Sequence, residues 1–474
     1  MLKNYTSKAL QSLITVVFAA LIIFLPSIHF MPKVIVWFSD GQRILELLLL
    51  IIILLNAALI DKKNSLIAEH KLSNNYLNFA FIALLGFTAI SAGLAESPRH
   101  AVIEVSTFAA LGCFALYIKH LYQQNKILFV KKITYALWVS ITLYMVSFYI
   151  GYITACVYKI PLNWPQPFNG FSNIRSFNQY QLWSLGLICL PLLAFNLKKS
   201  ISALAYLGLI SWWVLLFYSA SRGVIIAWLV GMLISAIIYR KLAWPFLRLQ
   251  LISVFLGYGA YYFLFQVMPH LLNSSLVTGS ILRETTSDRI ELWNQAIILV
   301  KNSPWFGVGP MHFAWNSATN AHPHNTILQL AAEWGVPATL IILTIAVYGF
   351  YCWLKKFNFE NLKSESKLDS NLTVILCFTI ITNSAYSLVD GVIVMPVSQV
   401  LMFTTIGLLI GHYFYNDSVS LKSNSFINPI YAALILISLA CSTYPEVLNG
   451  ISGKEKGFSM GYSALGPRYW KEIK

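Results

Sequence analysis

The chain has 474 residues, of which 57% are apolar and only 11% are charged, and its net charge is +15. A soluble domain contains roughly 25% charged residues, so the composition excludes a soluble protein and indicates an integral membrane protein. The positive charge does not predict nucleic-acid binding, because the lysines and arginines are spread over the loops between apolar segments instead of forming one basic patch.

Apolar segments recur along the chain at a length suited to crossing a bilayer core of roughly 30 Å as a helix. We therefore predict an all-α, polytopic membrane protein with about 12 or 13 transmembrane helices. The predicted spans are residues 10–31, 44–60, 77–95, 100–118, 133–155, 179–197, 201–219, 223–239, 249–267, 336–354, 372–389, 393–413 and 426–445.

The loops between these spans divide unequally in charge. Most lysines and arginines fall in the loops on the same side as the N-terminus, and the positive-inside rule makes that side cytoplasmic. The first apolar segment is too long for the core of a cleavable signal and is predicted to remain as a span. The longest outer loop, residues 268–325, separates the ninth span from the tenth.

A polar patch precedes the sixth span and contains Arg175, Asn178 and Gln179. These side chains either bind a sugar or pyrophosphate, or satisfy the backbone of an irregular loop. Arg222 lies in a turn between two spans, on the outer side. It is either an anchor to lipid phosphate or part of an anion site.

Residues 288–301 of the long outer loop have the pattern of an amphipathic helix, with apolar side chains at Ile290, Trp293, Ile297 and Val300. Asp288 and Glu291 form a possible capping box. We predict that this helix lies in the membrane interface. Arg289 in its first turn is either an anion ligand or the ion-pair partner of Asp288.

Two histidines, His322 and His324, stand where the chain returns to the membrane. Asn325 is a good N-cap residue, so a helix is predicted to start there and to break at 334–337. Asn325 is also a candidate for substrate binding. An imidazole near neutral pKa is a natural general base for a hydroxyl, and we assign that role to His324. Because His322 precedes a proline, its ring is expected to point elsewhere.

Carboxylates are few on the outer side and do not cluster, so we predict chemistry without a metal or other cofactor. The six cysteines are scattered and have no spacing typical of a zinc site or a redox pair. Asp390 caps a short outer turn before a glycine. Its simplest interpretation is a turn residue, and substrate binding is the alternative.

Three motifs resemble the bacterial O-antigen ligase superfamily, which includes lipopolysaccharide O-antigen ligases, pilin-type protein O-oligosaccharyltransferases and polysaccharide polymerases. The first is SASRG at 219–223, and the second is RIELW at 289–293 followed by PWFGVG at 304–309. The third is His324-Asn325 followed by nine residues and Gly335. Ala338 departs from the family pattern, which has Gly, Thr or Tyr at that position.

The resemblance implies a membrane glycosyltransferase of GT-C-like architecture in the bacterial inner membrane, with its active site facing the periplasm. The donor would be a glycan on undecaprenyl pyrophosphate, and the acceptor a lipid A core or a pilin-like protein. Arg222 and Arg289 would hold the donor pyrophosphate, and His324 would activate the acceptor. Residues 1–170 would form N-terminal spans, 171–415 the catalytic region, and 416–474 a last span and polar tail.

Two alternative functions remain open at this point. A polysaccharide polymerase would use the same chemistry on a growing chain. A lipid or polysaccharide transporter would also need many spans and arginines, but transporters usually show repeat symmetry and polar groups near the bilayer midplane. The polar groups in this sequence cluster at one face instead, which favours an enzyme.

Overall fold

The structure is a computed structural model that describes residues 15–27, 38–59, 75–162, 168–171, 173–272, 274, 289–317, 320–415 and 427–452. Asp288, the predicted capping residue, and the polar tail beyond residue 452 lie outside these ranges. The regular structure in the described part of the chain is helical, which confirms the all-α prediction.

Nineteen helical segments follow one another in these residues. They are α1 (Thr15–Phe24), α2 (Phe38–Leu59), α3 (Asn75–Leu94), α4 (Pro98–Gln124), α5 (Lys126–Tyr158), α6 (Ile174–Leu185), α7 (Leu190–Ala194), α8 (Lys199–Ser219), α9 (Arg222–Tyr239), α10 (Trp244–Tyr262), α11 (Met268–Leu272), α12 (Arg289–Asn302), α13 (Phe313–Asn316), α14 (Thr326–Trp334), α15 (Val336–Lys356), α16 (Phe359–Leu362), α17 (Lys367–Tyr386), α18 (Pro396–Tyr413) and α19 (Pro429–Ser452).

Among the described residues, eight helices are long and apolar enough to cross a membrane. They are α2, α4, α5, α8, α9, α10, α15 and α17. Three shorter apolar segments, in α1, α3 and α19, coincide with three further predicted spans. The chain is therefore a polytopic membrane protein, as its composition predicts.

One predicted span, residues 179–197, is not a continuous helix. It consists of α6, a 3₁₀ turn at Leu187–Cys189 and the short helix α7. Gly186, between α6 and the turn, lies against α17, where an added Cβ would stand 2.4 Å from Thr379 Oγ1. Pro191 then removes a backbone donor at the start of α7. Both residues interrupt the helix while leaving the segment closely packed.

Helix α6 is anchored by aromatic packing, which fixes the position of its N-terminal end. Phe177 stacks on Tyr144 of α5 with ring centroids 5.0 Å apart, and it contacts Phe168 at 4.4 Å. The Tyr180 hydroxyl lies 2.7 Å from Ser140 Oγ. Arg175, one turn before Tyr180, is thereby held at the outer end of α6.

Helix α14 is short and is locked to the preceding loop through backbone groups. Val308 N–H donates to the Ala332 carbonyl, and Gly309 N–H to the Glu333 carbonyl, both at 2.9 Å. Gly335 ends α14 with φ 86° and ψ 160°, a conformation that is essentially restricted to glycine. The predicted start at Asn325 and the break after Trp334 are both confirmed.

The predicted amphipathic helix exists as α12, but its apolar residues divide between two faces. Leu292 and Ala296 are buried against Phe313 and Ala332. Ile290 and Ile297 are exposed. The face that packs on the protein is therefore offset from the predicted stripe, and the exposed isoleucines are available to lipid.

Candidate active site

His324 precedes Asn325, the N-cap residue of α14, and has a left-handed backbone conformation. Its φ is +54°, an unusual value for a residue other than glycine, and its side chain is buried. Asn325 caps the helix, because its Oδ1 accepts the Leu328 N–H at 3.0 Å. The Asn325 amide also donates to the Leu388 carbonyl at 3.0 Å, which ties this helix start to the turn after α17.

The His324 imidazole lies between two charged side chains. Its Nδ1 is 3.2 Å from Asp390 Oδ1, and its Nε2 is 3.0 Å from Nη1 of Arg175. A guanidinium can only donate, so Nε2 must accept, and the ring proton must reside on Nδ1 and point to Asp390. This is the tautomer in which Nε2 can act as a base.

Asp390 is held in an ionised form. Burial by itself would raise the pKa of its carboxyl, but the hydrogen bond and charge of His324, the Tyr386 hydroxyl and the charge of Arg175 hold that pKa well below its usual range. Tyr386 donates to Oδ2 at 2.6 Å, and Gly391 N–H donates to Oδ1 at 2.7 Å. The carboxylate is thus fixed by three elements of the fold.

Burial of His324 acts against protonation of its imidazole. Burial lowers the pKa of the imidazole below its ordinary value; Asp390 opposes this effect, and the charges of Arg175 and Arg289 add to it. A buried, neutral imidazole with an oriented tautomer has the properties that a general base requires.

The structure corrects the expectation for His322. Its ring does not point elsewhere but meets the His324 ring edge to face, with centroids 4.2 Å apart. His322 Nδ1 also accepts the backbone N–H of His324 at 3.3 Å. The ring fills the space beside Gly391, where an added Cβ would lie 2.3 Å from it. His322 therefore supports the backbone on both sides of the site.

Two further arginines face the same site. Burial lowers the pKa of Arg289, and the positive charges of Arg175 and Arg222 lower it further, whereas Asp390 and Tyr386 oppose the effect. The charges of Arg175 and Arg222 therefore both act on Arg289. The Nε atom of Arg289 is buried and has no hydrogen-bond partner among the residues that the structure describes.

Each of these arginines stands at the start of a helix. Arg222 and Arg289 are the first residues of α9 and α12, and Arg175 is the second residue of α6. The N-terminus of a helix repels cations and attracts anions. Three arginines at three helix starts therefore form a site suited to a strongly anionic ligand.

The remaining predicted site residues have other positions. Asn178 is fully buried, and its amide donates to Gln181 Oε1 and to Ser219 Oγ, at 3.2 and 2.9 Å. It joins α6 to the end of α8, just before Arg222. Gln179 is also fully buried, and neither polar atom of its amide has a hydrogen-bond partner among the described residues.

Tyr386 was missed in the sequence analysis. The signal available was its spacing, because a tyrosine four residues before an aspartate at a helix end can reach back to the carboxylate. Ser221 also bonds to Tyr386, and Gly223 packs against its ring. Tyr386 therefore connects the Asp390 turn with the SASRG turn that carries Arg222.

Of two comparisons with known proteins, the comparison with protein families gives a match that includes part of this site. Comparison with curated proteins finds no match to the chain. Residues 204–343 match the family model described as O-antigen ligase. This region contains Arg222, Arg289 and His324, whereas Arg175 and Asp390 lie outside it. Residues 204–343 are thus similar to the O-antigen ligase family, whose members are glycosyltransferase-type enzymes that act on lipid-linked glycans.

Proposed function

We propose that the chain is an inverting glycosyltransferase of the bacterial inner membrane. It transfers a preassembled glycan from undecaprenyl pyrophosphate to an acceptor hydroxyl at the periplasmic face. The observation that carries the proposal is the buried His324 imidazole, which is oriented by Asp390 and stands beside the guanidinium groups of Arg175 and Arg289.

His324 acts as the general base. The acceptor O–H proton passes to Nε2 while the acceptor oxygen attacks the anomeric carbon of the donor sugar from the face opposite the pyrophosphate. The bond between that carbon and the pyrophosphate oxygen breaks, so the configuration inverts. Asp390 stabilises the imidazolium that forms, as the buried aspartate does in a serine-protease triad.

Arg175 couples donor binding to this step. The Arg175 guanidinium donates to the Nε2 lone pair that must take the proton. A donor pyrophosphate carries more negative charge than a neutral imidazole, so it draws Arg175 away and frees Nε2. His324 is therefore active only when the donor is present, which limits wasteful reactions.

Arg222 and Arg289 stabilise the leaving pyrophosphate. Negative charge grows on its bridging oxygen as the sugar leaves, and positioned cationic donors stabilise such charge most strongly in a site from which water is excluded. A planar guanidinium can bond two phosphate oxygens at once, whereas an ammonium cannot. The unpartnered Nε of Arg289 supports this assignment.

The acceptor is a lipid A core or a pilin-like protein in this proposal. A polymerase differs only in taking its hydroxyl from a second lipid-linked glycan, and the O-antigen ligase family match at residues 204–343 is compatible with both. Deleting the gene separates them: loss of glycan attachment with normal chain length supports the ligase or protein-glycosylating function. Shortened glycans that are still attached support the polymerase instead.

The direct test is glycan transfer by purified protein in detergent, with no ion gradient. His324→Ala should abolish transfer, and Arg222→Lys and Arg289→Lys should each lower it about 10²-fold, the typical effect of losing one transition-state donor. Arg99→Lys is the matched control, because Arg99 also lies at a helix start but donates to the Ser442 carbonyl. Activity of all variants near that of the parent chain would refute the site, and a strict gradient requirement would favour a transporter.

A further inference from the structure

We infer that Arg43 and Glu46, on α2, are positioning residues that hold Asp390 against His324. The inference rests on the proposed function, because it assigns these residues a part in the same reaction. In the sequence, Arg43 and Glu46 lie far before the region that matches the O-antigen ligase family, residues 204–343. The first membrane-spanning helices would therefore contribute to the catalytic centre.

Arg43 and Glu46 form an ion pair inside the protein. Arg43 Nη1 lies 2.5 Å from Glu46 Oε2, and the side chains are only 4% and 0% exposed. Burying two charges carries a desolvation penalty that their attraction often fails to offset, so such a pair is weak evidence for stability. A conformational role for the pair is the better explanation of its position.

The Arg43 guanidinium reaches the turn that joins Asp390 to α18. Its Nη2 donates to the Val394 carbonyl at 2.7 Å, and its Nη1 donates to Oε1 of Gln399. The Gln399 amide in turn donates to the Ile393 carbonyl at 2.8 Å. Glu46 fixes the guanidinium in the orientation that makes both contacts.

A second side-chain relay holds the same turn from α6. Trp183 Nε1 donates to Ser398 Oγ at 2.9 Å, and Ser398 Oγ donates to the Val392 carbonyl at 2.5 Å. The carbonyls of three consecutive residues, Val392, Ile393 and Val394, are thus each held by a side chain. Because this turn has no helical backbone ladder of its own, these bonds determine its shape.

The shape of the turn sets the position of the carboxylate. Gly391 N–H donates to Asp390 Oδ1, and Val394 N–H donates to the Gly391 carbonyl at 3.1 Å. Gly391 also packs directly on the His322 ring. A shift of Val394 is therefore transmitted through Gly391 to both Asp390 and the histidine pair.

The test is a double variant, Arg43→Met/Glu46→Met, which removes the contacts to the turn without leaving one charge buried. Replacing a buried pair by apolar residues is often neutral for stability, so the variant should fold. We expect about a 10²-fold loss of transfer, the effect of a misplacement of about 1 Å. Lys126→Met/Asp369→Met, which removes a pair at the other end of α17, is the control and should keep transfer.

A pH profile distinguishes positioning from general damage. The groups that face His324 are Asp390, Arg175 and Arg289, with Tyr386 behind Asp390 and His322 beside the ring. Asp390 favours the charged imidazole, so moving it away should shift the acid limb of the profile to lower pH. General damage would lower activity at every pH and leave the limb in place.

Besides a loss of activity at every pH with an unmoved acid limb, two results would overturn the inference. One is a double variant that transfers like the parent chain and has the same acid limb, while Asp390→Asn is inactive. The turn would then hold its shape without Arg43, and the proposed function would stand. The other is full activity of Asp390→Asn itself, which would refute the proposed role of Asp390 and the inference with it.

Discussion

At the scale of single residues, the site combines one base with several cations that oppose its protonation. Arg175 and Arg289 lower the pKa of His324, and Asp390 raises it. The net effect, dominated by burial, lowers the pKa of the imidazole below its ordinary value. The pH dependence of transfer therefore reports on the balance of these groups.

The first prediction concerns that pH dependence. Transfer should fall as the pH drops through the pKa of His324, with a midpoint below the ordinary histidine value of about 6.5. Asp390→Asn removes the group that raises this pKa, so the midpoint should move to lower pH, and the rate should fall about 10²–10⁴-fold because the tautomer is lost. The measurement is the pH profile of kcat/KM; a midpoint that moves upward would contradict the assignment.

A second prediction is that transfer needs no divalent metal. The guanidinium groups of Arg175, Arg222 and Arg289 supply the positive charge that a metal provides in other glycosyltransferases. Saturating EDTA should leave the transfer rate within about twofold of the untreated enzyme, since the guanidinium groups can bond the phosphate oxygens directly. A loss of activity that magnesium or manganese restores would show that the arginines do not suffice.

The sequence predicts some of these residue-scale features and not others. Asn325 and Gly335 are recognisable because capping and helix breaking are local properties. The pairing of His324 with Asp390 is not recognisable, because 66 residues separate them and only the packed fold brings them together. The expectation for His322 was wrong because the preference imposed by Pro323 governs the backbone, whereas the left-handed φ of His324 turns the two rings toward each other.

At the scale of helices, α14 is positioned by close backbone contact instead of by side-chain packing alone. An added Cβ on Gly307 would lie 2.4 Å from the Glu333 carbonyl group, and one on Gly335 would lie 2.3 Å from the Trp305 carbonyl oxygen. A glycine of the PWFGVG motif therefore packs on the backbone of the His-Asn-x9-Gly segment, and Gly335 packs on the backbone of PWFGVG. Their shared role is to place the start of α14, and with it His324.

The third prediction tests this contact. Gly335→Ala combines a glycine-only conformation with a steric clash, so it should destabilise the protein by at least about 2 kcal/mol and abolish transfer. Gly349→Ala in α15 is the matched control, because an added Cβ there meets nothing within 4 Å. It should change stability by less than about 1 kcal/mol. The measurement is thermal unfolding of both variants in detergent. Equal unfolding midpoints would mean that the turn at position 335 accommodates the added methyl group.

Hydropathy predicts the spans but not their interruptions. Segment 179–197 has the composition of a span, yet it divides at Gly186 and Pro191. The division depends on contact with α17 at Gly186, which a single-sequence pattern does not contain. In the same way, the buried face of α12 depends on Phe313 and Ala332, and it therefore differs from the stripe that periodicity predicts.

At the scale of the whole molecule, the two ends of the helix bundle differ. Helix α17 begins beside the Lys126–Asp369 ion pair, whose N–O distance is 2.8 Å, and ends at Tyr386 in the candidate active site. Among the described residues, Lys126 and Lys356 lie near Asp369 at the first end. The positive-inside rule therefore predicts that this end faces the cytoplasm and that the candidate site faces the periplasm, as the proposed function requires.

The fourth prediction tests this orientation. A cysteine introduced at Asn302, at the exposed end of α12, should react with a membrane-impermeant maleimide in cells whose outer membrane is permeabilised. A cysteine at Lys363, in an exposed ion pair with Glu360 at the other end, should react only after the inner membrane is opened. Labelling in the reverse order would put the site in the cytoplasm, on the wrong side for an assembled donor.

The left-handed backbone conformation of His324 is unfavourable for stability, whereas its imidazole is needed for the proposed activity. An asparagine adopts φ near +54° more readily than a histidine does, and its amide N–H could still donate to Asp390. A chain selected for folding alone would therefore have little reason to keep histidine at this position. His324→Asn is consequently the substitution in which inactivation and unfolding separate most clearly, and it makes a folded, inactive enzyme suited to trapping donor and acceptor together.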